Sequence, residues 1–417
     1  MASSSDNTEL NSLNPRVLNL KPSKTMALTD LASSLRDQGI DIIGLADGEP
    51  DFDTPDPIIK AGMEALETGI TRYTPNTGVP KLQRKICEKL REENGLQYEH
   101  DEIVISNGAK QSVWQSILAV CSPGDEVVIP APYWVSYPEM ARLAGAEPVV
   151  VETNSAQGFL MTADQLKNAL TPKSRVLILC SPSNPSGVVY SEAQLQEIAQ
   201  VVKEHPRLLV LSDEIYEYIV YPPAEHISFA SLPGMFDRTL TVNGFSKAYA
   251  MTGWRLGYLA APKIFAKACA IIQSQSTSGA SSISQHAGIA ALEMGKYGGQ
   301  VVSDMVAQFQ ERRDYVVKRL RSMGQFDVVE PTGAFYILPD IATLLSKGPY
   351  TEDFGRINNA DEFVKYLVEK ANVATVPGDA FGAPTCVRIS YAASMQTLEE
   401  AMNRIEISIK NLQYKNA

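Results

Sequence analysis

Short apolar runs alternate with amphipathic stretches over most of the chain. Apolar positions recur at helical spacing between many of the runs, as in Lys110–Val120 and Glu192–Glu204. This alternation is typical of an α/β fold whose sheet is mostly parallel. The runs with the length and composition of strands are Glu102–Ser106, Glu126–Pro130, Glu147–Val151, Val176–Cys180, Leu208–Ser212, Thr239–Val242 and Trp254–Ala260.

Both ends of the chain depart from this alternation. Near the start, Ser23 is a good cap for a helix from Thr25 to about Gln38, which Gly39 would stop. A short strand, Asp41–Gly44, then leads into a loop rich in Gly and Pro. Near the other end, the long amphipathic helix Gly299–Met323 precedes strands near Phe335–Leu338 and at Val387–Ser390.

With 417 residues, the chain is longer than one hydrophobic core usually organises, so two lobes are expected. We expect a large domain over residues 51–300. A smaller α+β domain would combine residues 1–50 with residues 301–417.

Charge and composition narrow the classes of partner. The net charge of −11 argues against a nucleic acid or an anionic membrane surface. No apolar stretch approaches the roughly 20 residues that span a bilayer. The four histidines are far apart, so no metal site is predicted.

The five cysteines are scattered, which favours free thiols in a reducing compartment. The Ser-rich start lacks a secretory signal but fits a trimmed transit peptide.

Candidate chemistry lies where the predicted strands end. In open α/β sheets, ligands bind beyond the carboxyl ends of the strands. One strand ends in Asp213-Glu214-Ile215-Tyr216 and another leads to Ser246-Lys247. A third run is followed by Asn107-Gly108-Ala109-Lys110, which opens a helix whose free N–H groups suit an anion.

Together these motifs resemble the class I aminotransferases of the pyridoxal-phosphate (PLP) fold type I. The resemblance runs from about Leu13 to about Gln413, and within the family it points to the prokaryote-type aspartate aminotransferases of bacteria and plant plastids, some of which also use prephenate. It implies a seven-stranded, mostly parallel sheet in the large domain. The motifs that carry it are Asn184-Pro185-Ser186-Gly187, Asp213-Glu214-Ile215-Tyr216, Ser246-Lys247, Gly253-Trp254-Arg255 and Val387-Arg388-Ile389-Ser390.

The resemblance implies a role for each cofactor-binding residue. Lys247 would form the Schiff base and shuttle the substrate proton. Asp213 would face the pyridine nitrogen and keep it protonated. Tyr216 and Asn184 would hydrogen-bond the phenolic oxygen. The phosphate would be held by Gly108, Ala109, Lys110, Ser246 and Arg255, with Trp134 on the ring face and Tyr73 reaching in from the neighbouring subunit of a homodimer.

Substrate binding follows from the same resemblance. Arg388 would grip the α-carboxylate, because its planar fork suits bidentate binding. Gly48 would bring its backbone close to that carboxylate, and Trp134 and Asn184 would also border the substrate. We expect Lys110, assisted by Thr25, to bind the distal carboxylate of a dicarboxylic substrate.

The expected reaction is a ping-pong transamination between aspartate or glutamate and 2-oxoglutarate or oxaloacetate, with prephenate as a further acceptor that yields arogenate. The compartment would be the plastid stroma in a plant and the cytoplasm otherwise. A broad-specificity aminotransferase, a β-eliminating lyase and an aminocyclopropane-carboxylate synthase share the motifs and stay open. A regulator with an aminotransferase-like domain is disfavoured, because the N-terminal segment has no room for a basic DNA-binding domain.

Taken singly, each residue also has a structural interpretation. Lys247 and Lys110 could be solvated surface lysines, and Asp213 could cap a helix. Asn184 could be a turn residue. Arg388 could form a buried salt bridge.

Overall fold

A computed structural model describes residues 14–18 and 20–414 of the chain. The strands are β1 Ile43–Gly44, β2 Ile103–Ser106, β3 Glu126–Pro130, β4 Glu147–Val151, β5 Ser174–Cys180, β6 Leu209–Asp213, β7 Thr239–Gly244, β8 Gly257–Ala260, β9 Tyr336–Ile337, β10 Pro349–Thr351, β11 Gly355–Arg356, β12 Val373–Ala374, β13 Val376–Pro377, β14 Val387–Ser390 and β15 Gln413–Tyr414.

Helices fill most of the intervals between the strands. They are α1 Pro15–Leu18, α2 Lys24–Asp37, α3 Asp56–Glu67, α4 Pro80–Asn94, α5 Ala109–Val120, α6 Ser136–Ala144, α7 Ala163–Ala169, α8 Glu192–Glu204, α9 Lys263–Ser274, α10 Ser282–Leu292, α11 Gly299–Met323, α12 Ala342–Ser346, α13 Ala360–Tyr366 and α14 Met395–Lys410. In the described ranges, none of these helices is long and apolar enough to cross a membrane.

The largest sheet has seven strands in the order β2-β8-β7-β6-β5-β3-β4. Neighbouring strands from β4 to β7 are parallel, whereas β8 is antiparallel to both of its neighbours. The predicted α/β fold with a mostly parallel seven-stranded sheet is therefore confirmed. The register places Cys180 opposite Asp213 and Asp213 opposite Val242, so the carboxyl ends of β5, β6 and β7 lie together.

Burial explains the continuous apolar runs. Every residue of β2, β6 and β8 is buried, as expected for a sheet that is covered by helices on both faces. Helices α5 and α9 pack together beside β2 and β8, while α3 and α10 form another closely packed pair. The sheet is thus a rigid layer whose strand ends can hold side chains in place.

The remaining strands form smaller sheets that combine both ends of the chain. Strand β1 pairs in parallel with β12, and β14 lies antiparallel between β13 and β9. A third small sheet has the order β11-β10-β15. One core cluster holds Leu45 from the N-terminal part together with Phe309 of α11 and Leu398 of α14.

Most predicted bounds agree with the structure, and the exceptions are local. Helices α8 and α11 and strand β14 have the predicted ends. The strand predicted at Trp254–Ala260 is wrong at its start, because Arg255 has a left-handed backbone (φ 53°) in a turn and the strand begins at Gly257. The strand near Phe335–Leu338 is shortened to β9. Leu13, the first residue of the family resemblance, lies outside the described residues.

Candidate active site

A cavity of about 260 Å³ opens at the carboxyl ends of the central strands. It also receives side chains from α2, from β9 and from β14. Of the residues that the sequence singled out, those that line it are Thr25, Gly48, Ala109, Lys110, Trp134, Asn184, Asp213, Tyr216, Ser246, Lys247, Arg255 and Arg388.

Lys247 follows β7 and reaches into this cavity. Its Nζ donates a hydrogen bond to the carbonyl oxygen of Gly48 and lies 5.9 Å from the ring centroid of Tyr216. Burial lowers the pKa of Lys247 to about 8, with the carboxylate of Glu49 acting in the opposite direction. A substantial share of the amine is therefore neutral near physiological pH, as a nucleophile or a base requires.

Asp213 is the last residue of β6 and is buried. Its Oδ2 accepts a hydrogen bond of 2.7 Å from the hydroxyl of Tyr137, and its Oδ1 accepts a bond of 3.3 Å from the backbone N–H of Ile215. Burial raises the pKa of Asp213 to about 6, although both hydrogen bonds oppose this shift. Asp213 forms no salt bridge with a cation in the described part of the chain, so this buried carboxylate can pair with a cationic group of a ligand.

The start of α5 forms an anion site at another wall of the cavity. Gly108 precedes the helix with φ 82°, and the guanidinium of Arg255 lies beside it, held by a hydrogen bond of 2.9 Å from Nη1 to the oxygen of Thr252. A Cβ at Gly257 would come within 2.4 Å of the backbone nitrogen of Ala109, so strand and loop are in close contact. The helix N-terminus and the guanidinium together favour a phosphate.

Arg388 is a buried guanidinium without a carboxylate partner among the described residues. Its Nη1 donates to Asn184 Oδ1 at 3.0 Å, and its Nη2 donates to the oxygen of Ala46 at 2.5 Å. Its Nε makes no hydrogen bond within the described part of the chain. The rings of Tyr336 and Phe381 lie 4.6 and 4.9 Å from its Cζ. The structural alternative, a buried salt bridge, is thus not found, and the group is available to an anionic ligand.

A second cation, Lys110, borders the same cavity. Its Nζ lies 5.2 Å from the ring centroid of Trp134, and burial, followed by the charge of Arg255, lowers the pKa of Lys110. The nearby hydroxyl of Thr25 is buried and has no hydrogen-bond partner among the residues described. Both residues line the cavity.

Gly108 and Tyr73 are the two predicted site residues that do not line the cavity; Gly108 lies directly before Ala109, which does, whereas Tyr73 lies elsewhere. Its side chain is 101% exposed and lies in a groove with Thr74, Gly279 and Ser281, outside the cavity. One chain on its own does not bring Tyr73 to the other residues.

Sequence reasoning missed several residues of the cavity wall. Tyr137 lies in the first turn of α6, three residues after Trp134. Tyr336 lies in β9, and its hydroxyl is 2.9 Å from that of Tyr216. Cys180, the last residue of β5, also lines the cavity. As ordinary apolar or aromatic residues in buried strands and helices, they were indistinguishable from core.

Comparisons with known proteins agree with this geometry. The profile of the family described as "Aminotransferase class I and II" matches residues 40–405. An "Aspartate aminotransferase" of Pinus pinaster is 59% identical over 95% of this chain and 81% of that protein. A "Bifunctional aspartate aminotransferase and glutamate/aspartate-prephenate aminotransferase" of Petunia hybrida is 60% identical, with coverages of 95% and 82%.

Solved structures give the same result. The crystal structure of the aspartate aminotransferase from Rhizobium meliloti has a TM-score of 0.92 and 42% identity, with 96% of this chain and 100% of that chain covered. The Thermus thermophilus aspartate aminotransferase with maleate has a TM-score of 0.88 and 40% identity, with coverages of 95% and 99%. The chain belongs to the aminotransferase class I and II family and is a PLP-dependent aminotransferase.

Proposed function

We propose that this aminotransferase moves an amino group between aspartate or glutamate and 2-oxoglutarate or oxaloacetate in two half-reactions. The observation that carries the proposal is that Arg388 and Lys110 line one cavity and that neither forms an ion pair with a carboxylate among the described residues. Arg388 suits the α-carboxylate, and Lys110 suits the distal carboxylate. A dicarboxylic substrate would neutralise both. Its two ends would then be fixed with the Cα between them, near Lys247.

The cavity fits the cofactor by the chemistry of its donors. Burial raises the pKa of Asp213. The protonated ring nitrogen of the cofactor would face this carboxylate, and its positive charge would offset the free-energy cost of burying the negative charge. Asn184 and Tyr216 would bond the phenolic oxygen, and Trp134 would cover the ring face. When bound, the cofactor supplies an electron-accepting ring that stabilises negative charge at the substrate Cα. The phosphate would be held by the N–H groups of Gly108, Ala109 and Lys110, with Ser246 and Arg255.

The chain's own residues then bind the substrate and move its proton. Arg388 would bind the α-carboxylate through Nε and one Nη, while Asn184 orients the guanidinium. Gly48, which carries no side chain, leaves room beside that carboxylate. The neutral Nζ of Lys247 would take the proton from the substrate Cα, and its lowered pKa suits that role near pH 8.

Prephenate as a further acceptor is supported by the printed names of relatives. Besides the Petunia protein, an "Aspartate/prephenate aminotransferase" of Cereibacter sphaeroides is 43% identical over 94% of this chain and 98% of that protein. Prephenate also carries two carboxylates, so Arg388 and Lys110 would serve it as they serve aspartate, and the product would be arogenate.

We also propose a homodimer in which Tyr73 completes the phosphate site of the partner subunit. The support is that the side chain of Tyr73 is fully exposed and lies outside the cavity of its own chain.

A division into a large domain of residues 51–300 and a smaller domain of residues 1–50 with 301–417 fits the seven-stranded sheet, which lies within residues 103–260.

All five cysteines are free, which favours a reducing compartment, the plastid stroma if the source is a plant.

The test follows the visible absorption of the purified enzyme. L-aspartate should abolish the absorption of the lysine-bound cofactor, and 2-oxoglutarate or prephenate, added to separate samples, should restore it. An enzyme that aspartate leaves unchanged would overturn the substrate assignment. A failure to recover with prephenate alone would remove only the arogenate-forming reaction.

Lys110→Ala tests the distal carboxylate site. Loss of a charged hydrogen bond should lower kcat/KM for aspartate about 10- to 100-fold. The value for alanine, which has no distal carboxylate, should change little. Lys60→Ala, on an exposed helix face, is the control. A kcat/KM for aspartate within a few-fold of wild type would show that Lys110 does not bind the substrate.

A further inference from the structure

One tyrosine lies between the two halves of the cavity. Tyr336 of β9 is fully buried, and its hydroxyl is 2.9 Å from that of Tyr216. Its ring centroid lies 4.6 Å from Cζ of Arg388. A Cβ at Gly48 would come within 3.1 Å of the same hydroxyl. Tyr336 thus contacts both the cofactor side and the carboxylate side of the site.

The sheet register explains this position. Tyr336 pairs with Ser390 on β14, two residues beyond Arg388 on the same strand. Side chains two residues apart on a strand point to the same face. The side chains of Tyr336 and Arg388 therefore meet on the cavity face of this small sheet.

Counting protons gives the hydrogen bond between the two tyrosines a direction. Burial raises the pKa of both Tyr216 and Tyr336, so each hydroxyl keeps its single proton. If Tyr216 donates its proton to the phenolic oxygen of the cofactor, it can only accept from Tyr336. The hydroxyl of Tyr336 must then be the donor.

We propose that Tyr336 is a positioning residue that donates a hydrogen bond to Tyr216 and so directs the hydroxyl of Tyr216 at the phenolic oxygen of the cofactor, while its ring supports Arg388. This inference rests on the proposed role of Tyr216. It assigns the hydroxyl of Tyr336 to the cofactor and the ring of Tyr336 to the substrate carboxylate. The two functions can therefore be separated by substitution.

Tyr336→Phe removes the hydroxyl and keeps the ring. Tyr391→Phe is the matched control, because Tyr391 is equally buried and its hydroxyl bonds Tyr221 and the oxygen of Ala334, away from the cavity. The holoenzyme is titrated with pH while its visible absorption is recorded, and the readout is the pH at the midpoint of the absorption change. A hydrogen bond to the phenolic oxygen stabilises its negative charge and so favours loss of the proton shared with the lysine nitrogen.

We expect Tyr216→Phe to raise this midpoint, and Tyr336→Phe to raise it by a smaller amount, up to about one pH unit. The double variant should shift no further than Tyr216→Phe, because Tyr336 acts through Tyr216. Tyr391→Phe should leave the midpoint in place. An unchanged midpoint in Tyr336→Phe, or additive shifts in the double variant, would overturn the inference and leave the role of Tyr216 intact. No shift in Tyr216→Phe would overturn both.

The ring is tested by the binding of maleate, a dicarboxylate that cannot be transaminated. Its Kd should stay within about threefold of wild type in Tyr336→Phe and rise about tenfold in Tyr336→Leu, which removes the ring from beside Arg388. Equal maleate affinity in Tyr336→Leu and wild type would show that the ring does not support the guanidinium.

Discussion

At the scale of residues, the site holds charges that the protein alone does not neutralise. Asp213 and Arg388 are buried in the same cavity, and neither has an oppositely charged partner among the described residues. Isolated buried charges cost free energy. The ligands that would neutralise them, a cofactor cation and a substrate carboxylate, therefore gain affinity from this arrangement.

Asp213→Asn should stabilise the cofactor-free protein above pH 6. The pKa of Asp213 is about 6 in the folded state and 3.8, its ordinary value, in the unfolded state. Between these two pH values the folded state therefore binds more protons than the unfolded state. As the pH rises through this range, the free energy of unfolding of the wild type falls. At pH 8 the variant should be more stable by at most about 3 kcal/mol. Urea unfolding at pH 5 and pH 8 measures this.

The exposed Asp37→Asn serves as control for the change in net charge. With the cofactor bound the order should reverse, because the carboxylate then has its cation. If the variant and the wild type differ equally at both pH values, burial of the charge is not the cause.

At the scale of elements, the sequence predicted the strands better than their pairing. Apolar runs bounded by turns located β3, β4 and α8 closely, because local periodicity decides whether such an element forms. The antiparallel position of β8 between β2 and β7 depends on contacts between distant segments, which local patterns do not encode. Motifs located Lys247 and its neighbours, whereas Tyr137 and Tyr336 had no motif.

The contact between β8 and the start of α5 leads to a prediction about backbone approach. In Gly257→Ala the new Cβ would meet the backbone of Gly108 and Ala109 and push the loop from the sheet. We expect destabilisation by about 1–3 kcal/mol and a cofactor Kd raised about tenfold or more. Thermal unfolding and cofactor titration measure the two effects.

Gly253→Ala is the matched control, since an added Cβ there meets nothing within 4 Å. It should keep both stability and cofactor affinity close to wild type. Similar losses in the two variants would mean that the close approach at Gly257 is unimportant for the phosphate site.

At the scale of the whole molecule, the proposed dimer predicts complementation between two inactive chains. When Lys247→Ala and Tyr73→Ala chains are co-expressed, a mixed dimer has one site with both Lys247 and the partner's Tyr73 intact. With random assembly, half of the dimers are mixed and each has one intact site. For a two-fold symmetric dimer, activity should therefore reach about a quarter of the wild-type value.

Each variant expressed alone supplies the baseline, and the mixed dimers can be isolated with two different affinity tags. Activity of the mixed dimer no higher than that of the better parent would show that Tyr73 does not act across subunits.

The pairing of β1 with β12 also constrains the order in which the protein can fold during synthesis. These strands come from opposite ends of the chain. Gly48 follows β1 closely in sequence, and Arg388 of β14 donates a hydrogen bond to the oxygen of Ala46, between β1 and Gly48. Contacts between such distant segments form late and slowly. The seven-stranded sheet can assemble once Ala260 has left the ribosome, but the carboxylate site must wait for the last strands. A nascent chain should therefore become able to hold the cofactor before it can recognise a substrate.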